Sequence, residues 1–246
     1  MKYLSAATGL ALAVSVSALA TAEEWSYHGG TGPGHWGSLS EDFAVCSVGT
    51  QQSPIDLAGA ISASGAAPAL MMNSISDVQV SRNARGVTYS AASVDAGLTL
   101  NGIDFTLLQF PFHARSEHHI NGEDFPLEVH FVTASEDGAL AVVGVMFEEG
   151  DAHPDLDALW AAIPAENESG EGPDSLSLER FIPGDEPVFR YEGSLTTPPC
   201  SEIVSWTVFP TPIEASAEQI QAFTDLVEDN ARPVLPAHRR YVLLSD

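Results

Sequence analysis

The sequence predicts a mostly β protein with short helices on its surface. Short runs of β-branched and aromatic residues recur along the chain, which is typical of strands. Asn101-Gly102, Asn121-Gly122 and Asp137-Gly138 separate neighbouring runs and favour antiparallel hairpins. Helical spacing of apolar residues is scarce. The predicted strands are 78–80, 87–90, 98–100, 105–110, 127–133, 140–147, 189–191 and 203–209.

Outside these strands, the chain has two helical segments and one predicted loop. Residues 155–162 form a short helix candidate. Residues 216–228 form the better candidate, because Ser216 can cap the first turn and Gln219 lies within that turn. Residues 59–67 are rich in glycine and alanine and predict a surface loop. The apolar face of the second helix is Ile220, Phe223, Leu226 and Val227.

Residues 1–22 have the pattern of a secretory signal peptide. Lys2 gives a positive start, residues 10–20 form a short apolar core, and Ala20-Thr21-Ala22 gives a small-residue cleavage pattern. Residues 23–246 then form the mature chain, whose length fits one large domain or two small ones. No later apolar run is long enough to span a bilayer. We therefore expect a periplasmic or secreted protein without a membrane span.

The charge of the chain is strongly acidic. It has 34 Asp and Glu against 9 Lys and Arg, for a formal net charge of −25. Such a surface disfavours nucleic acid and anionic membranes as partners. We expect a solvated acidic surface, and a specific cationic partner is the less favoured alternative.

Cys46 and Cys200 are the two cysteines of the chain. An even pair in an exported protein indicates a disulfide. The bond would close a loop of about 150 residues and stabilise the fold by about 4–5 kcal/mol in the chain-entropy description. Metal ligation is the weaker alternative, because neither cysteine has a close neighbour of ligand type.

Two predicted strands bring histidines towards each other. In the first strand, Gln109, Pro111 and His113 share one face; in the second, Glu128 and His130 share one face. Antiparallel pairing would let the two histidines meet, as in a zinc site oriented by the glutamate. Taken alone, two strand histidines are more often solvated or hydrogen-bonded than bound to metal.

Several longer motifs resemble the α-class carbonic anhydrases, in particular exported bacterial members. The resemblance covers about residues 24–244, and its motifs occur in the order of that family. The matching segments are Trp25-Ser26-Tyr27, Gly32-Pro33-Gly34-His35-Trp36, Gln51-Gln52-Ser53-Pro54-Ile55-Asp56, Ser116-Glu117-His118, Glu128-Val129-His130, Ser194-Leu195-Thr196-Thr197-Pro198-Pro199 and Asn230-Ala231-Arg232-Pro233.

This resemblance implies a twisted, largely antiparallel central sheet and the reversible hydration of CO2 to bicarbonate. In that family a Zn²⁺ held by three histidines provides a hydroxide near neutral pH. The resemblance assigns two of these ligands to His113 and His130. It also places Cys46 and Cys200 where secreted members have their disulfide. We expect a monomer or a dimer that acts on CO2 and bicarbonate.

The resemblance also assigns the residues around the metal. Thr196 would accept the hydrogen bond of the hydroxide, and Glu117 would hold Thr196. Gln109 and Glu128 would orient the histidine ligands, and His118 would form a structural pair with Tyr191. The residues assigned to the CO2 pocket and its border are Val132, Val142, Leu195, Thr197, Val204 and Trp206.

Two positions depart from the family pattern. Pro111 occupies the position of the first zinc ligand, and proline cannot bind zinc. Arg85 occupies the position of the proton-shuttling histidine, and arginine stays protonated. The sequence therefore leaves two hypotheses: a carbonic anhydrase impaired by Pro111, or an acatalytic relative that acts in binding. Proline and histidine codons can differ by one base, so resequencing codon 111 is a direct check.

Overall fold

The structure is a computed structural model that describes residues 24–65, 67–91, 96–184 and 187–245. The strands in these ranges are β1 Ile61–Ser62, β2 Ala69–Met72, β3 Ser74–Ser76, β4 Val78–Asn83, β5 Gly86–Ala91, β6 Ala96–Leu100, β7 Ile103–Ala114, β8 Leu127–Ser135, β9 Leu140–Glu149, β10 Glu168–Glu171, β11 Ser175–Ser177, β12 Val188–Gly193, β13 Val204–Val208, β14 Ile213–Ala215 and β15 Leu243–Ser245. The helices are α1 Trp36–Leu39, α2 Val45–Val48, α3 Leu156–Ala161 and α4 Ala217–Val227, with 3₁₀ turns at Gly29–Thr31, Glu41–Phe43 and Leu178–Phe181.

One large twisted sheet dominates the fold. Its main path runs β1-β15-β12-β13-β9-β8-β7-β5-β4-β10, with β6 against β7, β2 against β6, and β14 against β9. Most pairings are antiparallel, whereas β13 and β14 pair with β9, and β1 with β15, in parallel. Strands β3 and β11 form a separate two-stranded sheet. The predicted fold class is confirmed.

The two predicted Asn-Gly turns differ in what they connect. Asn101 and Gly102 both have positive φ and join β6 to β7 as a two-residue hairpin, as predicted. Asn121-Gly122 also forms a turn, and the two histidine strands pair antiparallel as expected. Strand β7 ends at Ala114 and β8 begins at Leu127, so this pair forms a local turn within a longer connection. The motif Ser116-Glu117-His118 lies in that connection.

Pro111 lies inside β7, in the interior of the sheet. Strand β7 has β8 on one side and β5 on the other, and Pro111 pairs in register with Thr88 of β5. On the β8 side, pairs are formed by Gln109 with Val132 and by Phe112 with Val129. By that register Pro111 lies opposite His130. Proline has no N–H to donate, which accounts for the interrupted ladder at this point.

Both predicted helices are formed, whereas the short helices α1 and α2 were not predicted and the predicted loop contains a strand. Helix α4 starts after Ser216, whose hydroxyl accepts from the Gln219 N–H in a capping box, and it buries Phe223. Helix α3 lies within the predicted range 155–162. The predicted loop at 59–67 contains the short strand β1. The Ile61 N–H donates to the Val242 carbonyl and the Ala63 N–H to the Leu244 carbonyl, which pairs this segment with β15. The predicted signal peptide at 1–22 lies outside the described residues.

The two faces of β7 and β8 have different surroundings. Phe110, Phe112 and Phe131 are buried in the larger apolar core on one face. The other face carries the two histidines and approaches Val142 and Trp206, which belong to a second apolar cluster. None of the described helices is long and apolar enough to cross a membrane. The sheet therefore holds the polar residues of its central strands over a separate, partly apolar cavity.

Candidate metal centre

His113 of β7 and His130 of β8 meet in the middle of the sheet, as the strand pattern predicts. Their ring centroids are 4.5 Å apart, and each residue is 3% exposed. Burial is the main effect on His113 and lowers its pKa, against the nearby negative charge of Glu117. A neutral imidazole at neutral pH is the form that binds a metal.

The partners of the two rings decide which nitrogens are free. His113 Nδ1 lies 3.0 Å from the Asn230 carbonyl oxygen, which can only accept, so Nδ1 carries the hydrogen. His130 Nε2 lies 2.8 Å from Glu128 Oε1 and donates in the same way. The lone pairs therefore lie on His113 Nε2 and His130 Nδ1. Within the described chain, His113 Nε2 is buried and has no hydrogen-bond partner.

Glu128 anchors a hydrogen-bonded network behind the rings. Its Oε1 also accepts from His118 Nδ1 at 2.7 Å, and its Oε2 accepts the N–H groups of Glu117 and His118 at 2.8 and 2.9 Å. Burial raises the pKa of this carboxyl, but the two histidines outweigh burial and hold the pKa well below its usual range. His118 Nε2 lies 2.6 Å from the Tyr191 hydroxyl. His118 is therefore engaged at both nitrogens.

Glu117 is fully buried beside the two histidines, with its carboxylate oxygens 3.6 Å from His113 Nδ1 and 3.8 Å from His130 Nδ1. Its Oε1 accepts the Arg232 N–H at 2.8 Å, whereas its Oε2 has no hydrogen-bond partner among the described residues. The expected hydrogen bond between Glu117 and Thr196 is not formed in the described structure. Glu117 Oε2 instead lies 3.8 Å from His130 Nδ1. Thr196 is buried and lines the same cavity.

The cavity above the histidines has a volume of about 250 Å³. Most residues assigned to the CO2 pocket line it, whereas Val204 is buried in β13 and does not. Gln109, Pro111 and His113 also line the cavity. The lining residues from the CO2 assignment are Val132, Val142, Leu195, Thr197 and Trp206.

Aromatic side chains and one arginine form another part of the wall. Arg85 is exposed, and its guanidinium carbon lies 4.7 Å from the centre of the Trp25 ring. Trp25 also packs against Tyr27 and Trp36. Burial is the main cause of a raised pKa of the Tyr27 hydroxyl. Tyr27 therefore keeps its proton near neutral pH.

Two residues beyond the predicted site complete it. The Asn230 side chain accepts from the Ala114 N–H and donates to the Phe112 carbonyl, which fixes its own backbone carbonyl beside His113. Arg232 holds Glu117 through its N–H and donates to the Ser53 carbonyl through its guanidinium. The motif Asn230-Ala231-Arg232-Pro233 was the available signal, but no role could be read from it.

The disulfide is formed between Cys46 and Cys200, with a sequence separation of 154. It joins the N-terminal segment to the turn that follows Thr196 and Thr197. Gln52 Nε2 donates to the Cys200 carbonyl at 3.0 Å and reinforces the same junction. The predicted disulfide is confirmed, and it is consistent with an extracytoplasmic protein.

Comparison with known proteins identifies the family. The model of the eukaryotic-type carbonic anhydrase family matches residues 31–246. The chain belongs to the α-carbonic anhydrase family. A carbonic anhydrase of Pectobacterium carotovorum is 40% identical over 237 residues, covering 95% of this chain and 96% of the relative.

Solved structures of carbonic anhydrases have the same fold. The α-carbonic anhydrase from Thermovibrio ammonificans, in complex with sulfanilamide, has a TM-score of 0.85 and 37% identity. The match covers 91% of this chain and all of that chain. Dioscorin complexed with ascorbate has a TM-score of 0.83 and 29% identity, over 90% of this chain and 97% of that chain. The activity of the family is carbonate dehydration, with CO2 and bicarbonate as its substrates.

Proposed function

We propose that this protein is an exported, zinc-dependent carbonic anhydrase whose activity is limited by Pro111. The observation that carries the proposal is the orientation of the two histidines. Asn230 and Glu128 occupy one nitrogen of each ring, which leaves His113 Nε2 and His130 Nδ1 free at one cavity. Carbonyl and carboxylate partners of this kind are typical around the imidazole ligands of zinc.

The donor set fits zinc. His113 Nε2 is a buried nitrogen without a partner in the described structure, and burying such an atom costs about 1–3 kcal/mol unless a ligand satisfies it. Two neutral imidazoles and an adjacent carboxylate are ligands that zinc accepts. When bound, zinc supplies the Lewis acidity that makes a hydroxide nucleophile available near neutral pH. His113 and His130 would hold it.

The other residues of the cavity would position the substrate. Val132, Val142 and Leu195 offer an apolar wall that suits CO2, which has no charge to solvate. Thr196 would orient the attacking oxygen by hydrogen bonding. An arginine side chain is a poor proton relay near neutral pH, so proton release would pass to buffer. Val204 does not reach the cavity and would support this wall from behind.

Pro111 would weaken the metal site. Apparent zinc binding by a complete ligand set is worth about 10–16 kcal/mol, so one of three protein ligands corresponds to about 3–5 kcal/mol. That loss would lower zinc affinity by about 10²–10⁴-fold. Activity would fall with occupancy and with less accurate positioning of the nucleophile.

The proposal places the protein in the periplasm or outside the cell. The disulfide supports an oxidising compartment. The pattern of residues 1–22 supports removal of a signal peptide, which would leave a mature domain of residues 23–246. Mass spectrometry of the secreted or periplasmic protein tests this, and a mature N-terminus far from Glu23 would contradict it.

The direct test is stopped-flow CO2 hydration by the mature, zinc-supplemented protein beside Pro111→His. Zinc-dependent hydration above the zinc-free blank in the native chain supports the proposal. Activity confined to the variant would mean that the native chain is a disabled anhydrase, and the proposal would be abandoned.

A second candidate function is binding of a small organic anion without catalysis. Two observations favour it: Pro111 occupies a ligand position, and the cationic Arg85 lines the same cavity. The fold neighbour dioscorin was solved with ascorbate. Calorimetric titration with ascorbate tests this candidate. It predicts saturable binding that Arg85→Ala weakens, and absence of binding at millimolar ascorbate would contradict it.

A further inference from the structure

We propose that Glu117 is a direct metal ligand in this protein, so that His113, His130 and Glu117 form a two-histidine, one-carboxylate site. This inference rests on the proposed zinc-dependent function and specifies its ligand set. Glu117 would serve as the third protein ligand, from a different position in the chain than Pro111. The metal site would then need no ligand from residue 111.

The first argument is the free oxygen of Glu117. The side chain is 0% exposed, and one carboxylate oxygen accepts the Arg232 N–H. The other oxygen, Oε2, has no hydrogen-bond partner in the described parts of the chain. Burying a carboxylate oxygen without a hydrogen-bond donor costs folding free energy, because the oxygen loses its hydrogen bonds to water and forms no others. A cation at this place would remove that cost.

The second argument is the proximity of three side chains that can bind a metal. His113, Glu117 and His130 each offer a ligand atom within 4.8 Å of the other two. Glu117 Oε2 and His130 Nδ1 are 3.8 Å apart. Like Glu117 Oε2, His113 Nε2 is a buried potential ligand atom without a hydrogen-bond partner among the described residues. Tetrahedral zinc with bonds of about 2.0–2.1 Å separates its ligand atoms by about 3.3 Å. A shift of about 0.5 Å would bring that oxygen and nitrogen to ligand separation.

The third argument is a contrast with the neighbouring cluster of His118, Glu128 and His130, which also has donors within 4.8 Å of one another. There, both oxygens of Glu128 accept hydrogen bonds, and both nitrogens of His118 have partners. Glu128 and His118 therefore have no unpaired ligand atom to offer, and only His130 Nδ1, which the two clusters share, remains available. The same criterion that excludes Glu128 therefore selects Glu117.

The fourth argument is the freedom of Glu117 from its expected partner. Thr196 lines the cavity but forms no hydrogen bond with Glu117 in the described structure, so Oε2 is not committed to positioning a hydroxyl. The carboxylate also supplies a negative charge beside two neutral imidazoles. A dication bound there is better neutralised than by histidines alone, and zinc enzymes use two histidines with one glutamate as a ligand set.

The test is a double-mutant cycle on zinc affinity. The dissociation constant is measured by competition with a chromophoric chelator for the native protein, Glu117→Gln, Pro111→His and Pro111→His/Glu117→Gln. We expect Glu117→Gln to weaken zinc binding at least 100-fold in the native protein. In the Pro111→His background we expect less than a tenfold loss, because three histidines then hold the metal.

The outcomes separate this inference from the proposed function. Unchanged zinc affinity in Glu117→Gln, with zinc-dependent CO2 hydration by the native protein, would overturn the inference and leave the function standing. A large, Pro111-dependent loss without hydration by the native protein would support the ligand and overturn the function. Absence of zinc binding at micromolar zinc would overturn both.

A second measurement avoids reliance on a Glu117 variant that fails to fold. Infrared difference spectra on addition of zinc report carboxylates that become ligands. We expect a shifted carboxylate stretch in the native protein and its loss in Pro111→His. A zinc-loaded native protein with no carboxylate shift would contradict direct ligation by Glu117.

Discussion

Two buried clusters share His130 but differ in how their polar atoms are satisfied. In the closed cluster of His118, Glu128 and His130, both carboxylate oxygens and both nitrogens of His118 have hydrogen-bond partners. In the open cluster of His113, Glu117 and His130, the buried atoms His113 Nε2 and Glu117 Oε2 have none among the described residues. Both clusters contain two histidines and a glutamate, so their composition does not distinguish them. The difference lies in which of their polar atoms have hydrogen-bond partners.

The largest expected effect comes from restoring a ligand to the open cluster. Pro111→His should raise zinc-dependent CO2 hydration by about 10²-fold or more at limiting zinc, because a third imidazole adds about 3–5 kcal/mol of metal binding. Stopped-flow rates at buffered free zinc measure the change. Pro111→Ala is the matched control, since it removes the proline without adding a ligand. An equal gain in both variants would assign the defect to the strand rather than to the ligand.

The next effect separates the clusters by stability. In zinc-free protein, Glu128→Gln should lower the free energy of unfolding by about 3–5 kcal/mol, because it disrupts a buried and fully paired carboxylate. Glu117→Gln should change it by less than about 1 kcal/mol, because its free oxygen makes no hydrogen bond to lose. Urea unfolding of both variants measures the difference. Equal losses would remove the distinction between the open and closed clusters.

A smaller effect concerns stabilisation by the metal. Zinc at about 100 times its dissociation constant should stabilise the native protein by about 2.7 kcal/mol, because only the folded chain presents the site. At the same free zinc, Glu117→Gln should lose most of the rise in melting temperature, and Pro111→His/Glu117→Gln should keep it. Thermal scans with and without a chelator measure this. A rise in melting temperature in Glu117→Gln equal to that of the native protein would contradict zinc binding by Glu117.

The smallest effect is the pH dependence contributed by His113. Burial holds its pKa in the folded protein below the unperturbed value of 6.5, so the unfolded chain binds more protons there. The resulting stabilisation is present above about pH 6.5 and is lost as pH falls below it, by at most about 1.4 kcal/mol per pH unit. Urea unfolding of zinc-free native protein and His113→Gln between pH 5 and 8 tests this. Identical slopes would contradict it.

Much of the site could be predicted because it depends on strand periodicity. Alternation puts Gln109, Pro111 and His113 on one face, and antiparallel pairing brings His113 to His130. The family follows from long motifs, and the cysteine count predicted the disulfide. The boundaries of the edge strands were harder to predict from the sequence. Strand β1, for example, is only two residues long and depends on a partner near the end of the chain.

The sequence alone determined the family, the β architecture, the two facing histidines and the presence of proline at position 111. These properties are written in residue identities and in short-range spacing. Tertiary structure alone decided which nitrogens are free and which glutamate is unpaired. Asn230 reaches His113 across 117 residues, and Arg232 reaches Glu117 across 115. Such contacts depend on how distant segments pack against the sheet, so periodicity within a strand cannot specify them.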